Sequence, residues 1–333
     1  MSKKKQLGQF FTTEAEYIVQ GLLQYIPKDK IVIDPFAGNW DLLNLVDSEV
    51  QAFDIDPKNN KTIQQDMLLT DFDYEHYWVL TNPPYLARNK SSDKIIFNKY
   101  NTNDLFKASI QSLIGCDGGI LIVPLNFLCS KENKTRNLFL DNYNIKQINL
   151  FEEQVFTDTT TTVIAFSFYK KKSDEQNLKI KIFPSQQNLE FKIKKLHNYM
   201  IGEDFLNIIK TKYINFGRLR IGGTPSTKMF LRTIDTGSQD GMLGLSFNNT
   251  SFYGKDTDRT FASITSKIVL TEIQQKQLIT DFNNIISGLR KKYNSLFLNN
   301  YRNSTTFHSR KRIGFNDVYS ILSYLLNNMV VIA

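Results

Sequence analysis

Asn82, Pro83, Pro84 and Tyr85 end the apolar run Tyr77 to Leu80 and combine residue types that could do chemistry. The asparagine amide can both donate and accept, the two prolines remove consecutive backbone N–H groups and stiffen the loop, and the tyrosine offers a flat face. Read alone, these four residues are equally a turn that terminates a strand.

Three acidic positions recur upstream. Asp34-Pro35-Phe36-Ala37-Gly38 follows the run Ile31 to Ile33, Asp54-Ile55-Asp56 follows Val50 to Phe53, and Asp66-Met67 comes next. A turn of small residues lets a ligand approach backbone, and a carboxylate closing the second strand is suited to accept from both ribose hydroxyls. Asp66 could accept from an adenine amine while Ile55 and Met67 close on the ring faces. The set describes a nucleoside pocket, although any one such acid taken alone is more often a helix cap.

The elements that would position these residues alternate. Helical spacing over Glu14 to Tyr25, behind Thr12 or Thr13 as a cap, precedes strands at Ile31 to Ile33 and Val50 to Ile55 with a helix at Leu42 to Val46 between them. Strands follow at Tyr77 to Leu80, Ile120 to Val123, Ile145 to Phe151 and Thr162 to Tyr169, with helices at Asp104 to Ile114 and Lys131 to Asn142. This order predicts an α/β fold with a mostly parallel sheet covered by helices, and ligands at the carboxyl ends of its strands. The charged stretch Lys170 to Gln176 reads as a boundary, after which glycines suggest turns between short strands, and helical patterns return at Thr271 to Phe297 and Phe315 to Asn327.

Taken in order, Asp34 to Gly38, Asp54, Asp66 and Asn82 to Tyr85 resemble the motifs of S-adenosylmethionine-dependent amino-methyltransferases. Gly8 to Thr13 (GQFFTT) is similar to the N-terminal motif of the gamma class of DNA adenine methyltransferases, and the likeness continues through Gly118 to Pro124 and Phe151 to Phe168. The resemblance implies a Rossmann-like catalytic domain over residues 1–172 and a smaller mixed α/β target-recognition region over 173–333. It implies S-adenosyl-L-methionine as cofactor, held by Phe11, Thr12, Asp34, Phe36, Ala37, Gly38, Asp54, Ile55, Asp66, Met67 and Asn82. The implied reaction is methylation of the N6 amine of adenine in double-stranded DNA, with a restriction endonuclease as a partner. An exocyclic purine amine is a poor nucleophile because its lone pair is delocalised. Hydrogen bonds to the Asn82 oxygen and the Pro83 carbonyl would make it more tetrahedral and aim it at the methyl group, with no strong base required. The nucleotide must be flipped out of the duplex, and Tyr85 and Phe156 are the implied aromatic walls. The sequence departs from the family at Trp40, where a second glycine is usual. An indole there is expected to crowd the methionine end of the cofactor.

Composition agrees with a polyanionic partner: net charge is +8, and 13% of residues are aromatic. Arg310, Lys311 and Arg312 are expected to contact phosphates, whereas Arg218, Arg220 and Lys228, around a glycine turn, are expected to reach base edges. Solvated basic surface is the plain alternative for both. Cys116 and Cys129 lack metal-ligand spacing, His76, His197 and His308 are scattered, and no metal site is expected. Without an apolar span or a signal-peptide core, a cytoplasmic location with no membrane partner is expected. Glu190-Phe191-Lys192 has nuclease-like spacing without a preceding acid, so a charged strand is the better reading. Two function classes stay open: the adenine methyltransferase, and a DNA-binding chain that kept the fold but lost the cofactor through Trp40. Within the enzyme class, cytosine N4, an RNA base and a protein glutamine are further possible substrates.

Overall fold

The computed structural model describes residues 7–157, 159, 161–212, 215–220, 223–235, 242–248, 261–301 and 310–330. The chain divides into two compact units, one of residues 7–128 and 132–199, the other of 129–131 and the described residues from 200 onward.

The first unit is built on a nine-stranded sheet. Its strands are β1 (Ile31–Asp34), β2 (Val50–Asp54), β3 (Ile63–Gln64), β4 (Tyr77–Thr81), β5 (Gly118–Pro124), β6 (Tyr143–Phe151), β7 (Val163–Lys170), β8 (Glu175–Phe183) and β9 (Gln187–Lys194), in the order β3-β2-β1-β4-β5-β7-β6-β8-β9. Strands β3, β2, β1, β4 and β5 pair in parallel, and β7 enters antiparallel between β5 and β6. This is the mixed α/β, Rossmann-like arrangement expected. β5 is buried along its whole length, and its glycines are required: a Cβ on Gly118 would lie 2.5 Å from the Trp78 ring. Helices α1 (Ala15–Val19), α2 (Ile95–Lys99), α3 (Leu105–Ser112), α4 (Asn126–Cys129) and α5 (Lys134–Asn142) are short. The Glu14 to Tyr25 helix breaks after Val19, because Gln20 is extended and Gly21 adopts φ +71°, leaving a 3-10 turn at Leu23–Tyr25. No side chain caps α1. Leu42 to Val46 is likewise only a 3-10 turn, at Leu43–Leu45.

The boundary expected at residue 172 moves. Lys171 to Asp174 is a connection within the sheet, since β8 pairs in parallel with β6 and β9 completes a hairpin on β8. The Asn144 amide binds this connection, its Oδ1 accepting from Lys172 N at 2.7 Å, and Gln176 ties β8 to β6, its Oε1 accepting from Ile145 N at 3.0 Å. The charged composition of the turn marked a loop, and the units part about 25 residues later, at Tyr199.

The second unit holds α6 (Glu203–Ile209), β10 (Phe216–Arg218), β11 (Met229–Arg232), β12 (Ile234–Asp235), β13 (Gly244–Phe247), β14 (Phe261–Ser266), α7 (Glu272–Tyr293), β15 (Asn299–Tyr301), β16 (Arg310–Arg312) and α8 (Phe315–Val330). Four strands form the antiparallel order β10-β14-β11-β13 and three form β12-β16-β15. α7 starts in a capping box between Thr271 and Gln274 and buries Leu278, Phe282, Ile286, Leu289 and Tyr293, one stripe at helical spacing. Among the described residues, no helix is long and apolar enough to cross a membrane. Cys116 and Cys129 are buried and form no disulfide.

Candidate active site

The carboxyl ends of β1, β2 and β4 border one cavity, to which the segment around Phe10 contributes a wall. Asp34, the last residue of β1, is 2% exposed. It accepts from Phe36 N at 3.0 Å and from the Thr81 hydroxyl at 2.5 Å. Burial pushes its carboxyl up to about 7, against those two hydrogen bonds and with the neighbouring Asp54 adding to the rise. Asp54, the last residue of β2, accepts from Gly38 N at 2.9 Å on one oxygen and from Asp56 N at 2.7 Å on the other, with Gln9 Nε2 at 3.4 Å. Gly38 has φ +50°, and a Cβ there would stand 3.3 Å from the Phe11 ring, so the turn after β1 needs this glycine.

Farther along the cavity, Asp66 accepts from Leu68 N at 3.0 Å. Met67 lines the wall while buried, whereas Ile55 stands 43% exposed at the rim. The structure therefore brings together Phe11, Thr12, Asp34, Phe36, Ala37, Gly38, Asp54, Ile55, Asp66, Met67 and Asn82 around one cavity. It adds residues that sequence reading missed, among them Gln9, Asp41 and Asp93. Gln9 lies inside the quoted GQFFTT stretch, but Asp41 and Asp93 carried no signal because each follows a turn rather than a strand.

Trp40 departs from expectation. It adopts φ +72°, a conformation that favours glycine, yet its indole turns onto Thr62, with Nε1 donating to Oγ1 at 2.6 Å and Lys61 Nζ 5.5 Å from the ring centre. The indole is buried there and is not part of the cavity wall. It does not crowd the site.

Asn82 follows β4 and is held at both ends of its amide. Nδ2 donates to Phe10 O at 2.8 Å and to Thr12 Oγ1 at 3.0 Å, and Oδ1 accepts from the Tyr85 hydroxyl at 2.5 Å. These partners fix which end is oxygen. Tyr85 N donates to Gly8 O at 2.9 Å, and a Cβ on Gly8 (φ +69°) would come within 2.9 Å of the Tyr85 carbonyl carbon. The GQFFTT segment is thus laid against the NPPY loop by contacts that need its glycine. Thr12 accepts from Asn82 instead of capping α1.

Tyr85 and Phe156, the implied aromatic walls, lie in ring contact. Tyr85 is 9% exposed, and its hydroxyl, 2.5 Å from Asn82 Oδ1, is also 2.7 Å from Ile122 O, two acceptors for one proton. Burial holds that hydroxyl well above the usual phenol range. The Phe10 ring stacks on Tyr85 at 5.6 Å, whereas buried Phe156 meets it edge-on, at 6.5 Å and 81°. Perpendicular rings leave no parallel slot for a base, so the Tyr85–Phe156 pair is not a preformed sandwich. Pro83 is buried and Pro84 lines the cavity.

In the second unit the expected cations part company. Lys311 is 0% exposed and donates to Asn294 O at 3.2 Å, so it is not a phosphate contact. Residues 310–312 form a strand, and alternation sends its middle side chain to the opposite face from its neighbours. The Arg310 side chain lies outside the described residues. The Arg312 guanidinium lies 5.7 Å from the Phe315 ring centre, and exposed Arg218 lies 4.9 Å from the same ring. Arg220 is exposed just after β10. Lys228, also exposed, pairs with Glu272 at 2.5 Å, which engages its charge.

No family model and no curated protein matches the chain. Solved structures resemble it at low identity. One is described as a modification subunit of a type I restriction enzyme from Vibrio vulnificus YJ016, with 16% identity over 62% of this chain and 54% of that one and a TM-score of 0.43. Another is the type I restriction-modification methyltransferase subunit from Streptococcus thermophilus, with 13% identity over 52% and 47% and a TM-score of 0.39. A third is the M protein of type I restriction enzyme EcoKI, with 14% identity over 52% and 48% and a TM-score of 0.39. The chain spans about half the length of each.

Proposed function

We propose that the chain methylates the N6 amine of adenine in double-stranded DNA, using S-adenosylmethionine and base flipping, as the modification component of a restriction-modification system. The observation that carries this reading is Asn82: an amide fixed at both ends, lining a cavity bordered by the carboxylates that close β1 and β2. The cavity residues fit the cofactor. Asp54 is a buried acceptor suited to ribose hydroxyls, Gly38 leaves room where a Cβ would press on Phe11, and Ile55 offers an exposed apolar surface to a ring. When bound, S-adenosylmethionine supplies an electrophilic methyl group.

The chain's own residues position the nucleophile. The Asn82 oxygen has two lone pairs; Tyr85 uses one, and the other remains for an N–H of the target amine. Because Phe10 and Thr12 hold Nδ2, the oxygen keeps its direction without reorganisation, which is where preorganised acceptors gain their effect. Base entry in this reading requires the Tyr85 ring to turn from Phe10 toward the base. The rival reading, a chain that lost its cofactor, rested on an indole in the pocket, and that indole packs on Thr62.

The test is transfer of labelled methyl from S-adenosylmethionine to duplex DNA by the purified chain, alongside calorimetric titration with the cofactor. Cofactor binding with adenine methylation supports the proposal. Absence of cofactor binding refutes it.

A further inference from the structure

We propose that Asp41 takes the ammonium group at the amino-acid end of the cofactor, an assignment that rests on the S-adenosylmethionine reading above. The Trp40 backbone N–H donates to Ala37 O at 2.8 Å, and its indole is tied to Thr62, which fixes the tight turn from Ala37 through Gly38 to Trp40. Asp41 comes directly after this turn and lines the cavity.

Asp41 shares the cavity with four other acids. Asp34 is buried behind Thr81 and both Asp54 oxygens accept backbone N–H groups, whereas Asp66, Asp93 and Asp41 each accept from one backbone N–H, so position distinguishes these three. Asp41 accepts from the Thr12 amide, and its partial burial lifts its carboxyl above the ordinary value while that hydrogen bond opposes the rise. A carboxylate that has lost part of its hydration gains more from an incoming cation than a fully solvated one. The cavity wall contains no lysine or arginine among the described residues, so a bound cation would meet no competing charge.

Position selects the ammonium. Thr12 joins Asp41 to the catalytic end, since its amide donates to Asp41 while its hydroxyl accepts from Asn82 at 3.0 Å. The methyl donor must face Asn82, and the amino-acid chain is bonded to the same sulfur, so it departs from that point. Asp66 and Ile55 belong with the adenine end in this reading.

The experiment is calorimetric titration of the wild-type chain and Asp41→Asn with S-adenosylmethionine, S-adenosylhomocysteine and 5′-methylthioadenosine. The first two carry the ammonium and the third lacks the amino-acid tail. Asp41→Asn should weaken both ammonium-bearing ligands by about 10-fold or more while leaving 5′-methylthioadenosine within about 2-fold. Unchanged affinity for the first two overturns the assignment. So does an equal loss for all three, which would mark a structural role, and so does a loss confined to S-adenosylmethionine, which would place the charge at the sulfonium. A wild-type chain that binds none of the three would overturn the cofactor reading itself.

Discussion

Asn82 in the first unit and Lys311 in the second are both polar side chains that donate to a backbone carbonyl distant in sequence, and their surroundings give them opposite uses. Asn82 comes one residue beyond β4, where the ladder has stopped and a side chain can border a cavity while its amide is fixed. Lys311 is the middle residue of a three-residue strand, paired across from Asp235, and is drawn inside with its ammonium on Asn294 O. A motif at a strand end keeps its chemistry available. A charge run that forms a strand surrenders every second residue to the interior.

The comparison breaks most easily at Asn82. Asn82→Ala should lower methyl transfer by about 10²–10³-fold or more, measured by label incorporation, with the cofactor dissociation constant unchanged within a few fold. Turnover near wild type would remove Asn82 from the reaction. In the other unit, Lys311→Ala should cost about 2–4 kcal/mol of unfolding free energy in urea, because it deletes a buried hydrogen bond and the packing of a long side chain. The salt dependence of DNA binding should not change. A shallower salt slope at full stability would return Lys311 to the phosphate surface.

Asp54→Ala should weaken S-adenosylmethionine binding by about 1.5–3 kcal/mol through loss of the charged acceptor; an unaltered dissociation constant would move the ribose elsewhere. Asp34 sharpens the same region by pH. Its folded value of about 7 lies above the ordinary 3.8, so the stability from holding its proton is complete below 3.8 and is lost as pH rises through 7. Raising pH from 5 to 8 should therefore destabilise the cofactor-free wild type by about 1–3 kcal/mol more than Asp34→Asn. Parallel pH curves would contradict a protonated Asp34. The smallest effect belongs to the Phe315 pair. Arg312→Ala should make the slope of log affinity against log salt shallower by up to about 0.9, whereas Arg218→Ala should erode discrimination at one base pair. Titrations on matched and scrambled duplexes at several salt concentrations separate the two.

The first unit was legible because its signals are local: apolar runs become strands, and residues just past strand ends converge on one cavity. What escaped depends on three-dimensional direction. Trp40 reads as an obstruction until its backbone conformation turns the indole to Thr62. The edge-on meeting of Tyr85 and Phe156, with Phe10 stacked on Tyr85, is a ring orientation set by packing, which spacing does not encode. Lys170 to Gln176 looks like a linker by charge, yet the strands beyond it extend the same sheet, a long-range pairing invisible to composition. Lys228 looked like a base reader and is paired with Glu272, 44 residues away.

The central claim is chemical, and the identity of the methylated nucleoside tests it most directly. Duplex DNA incubated with the purified chain and labelled S-adenosylmethionine, then digested to nucleosides and separated, should carry the label on N6 of deoxyadenosine with wild type and none with Asn82→Ala. Label on deoxycytidine, on protein or on RNA offered in the same reaction, or on deoxyadenosine with Asn82→Ala as well, would contradict the account.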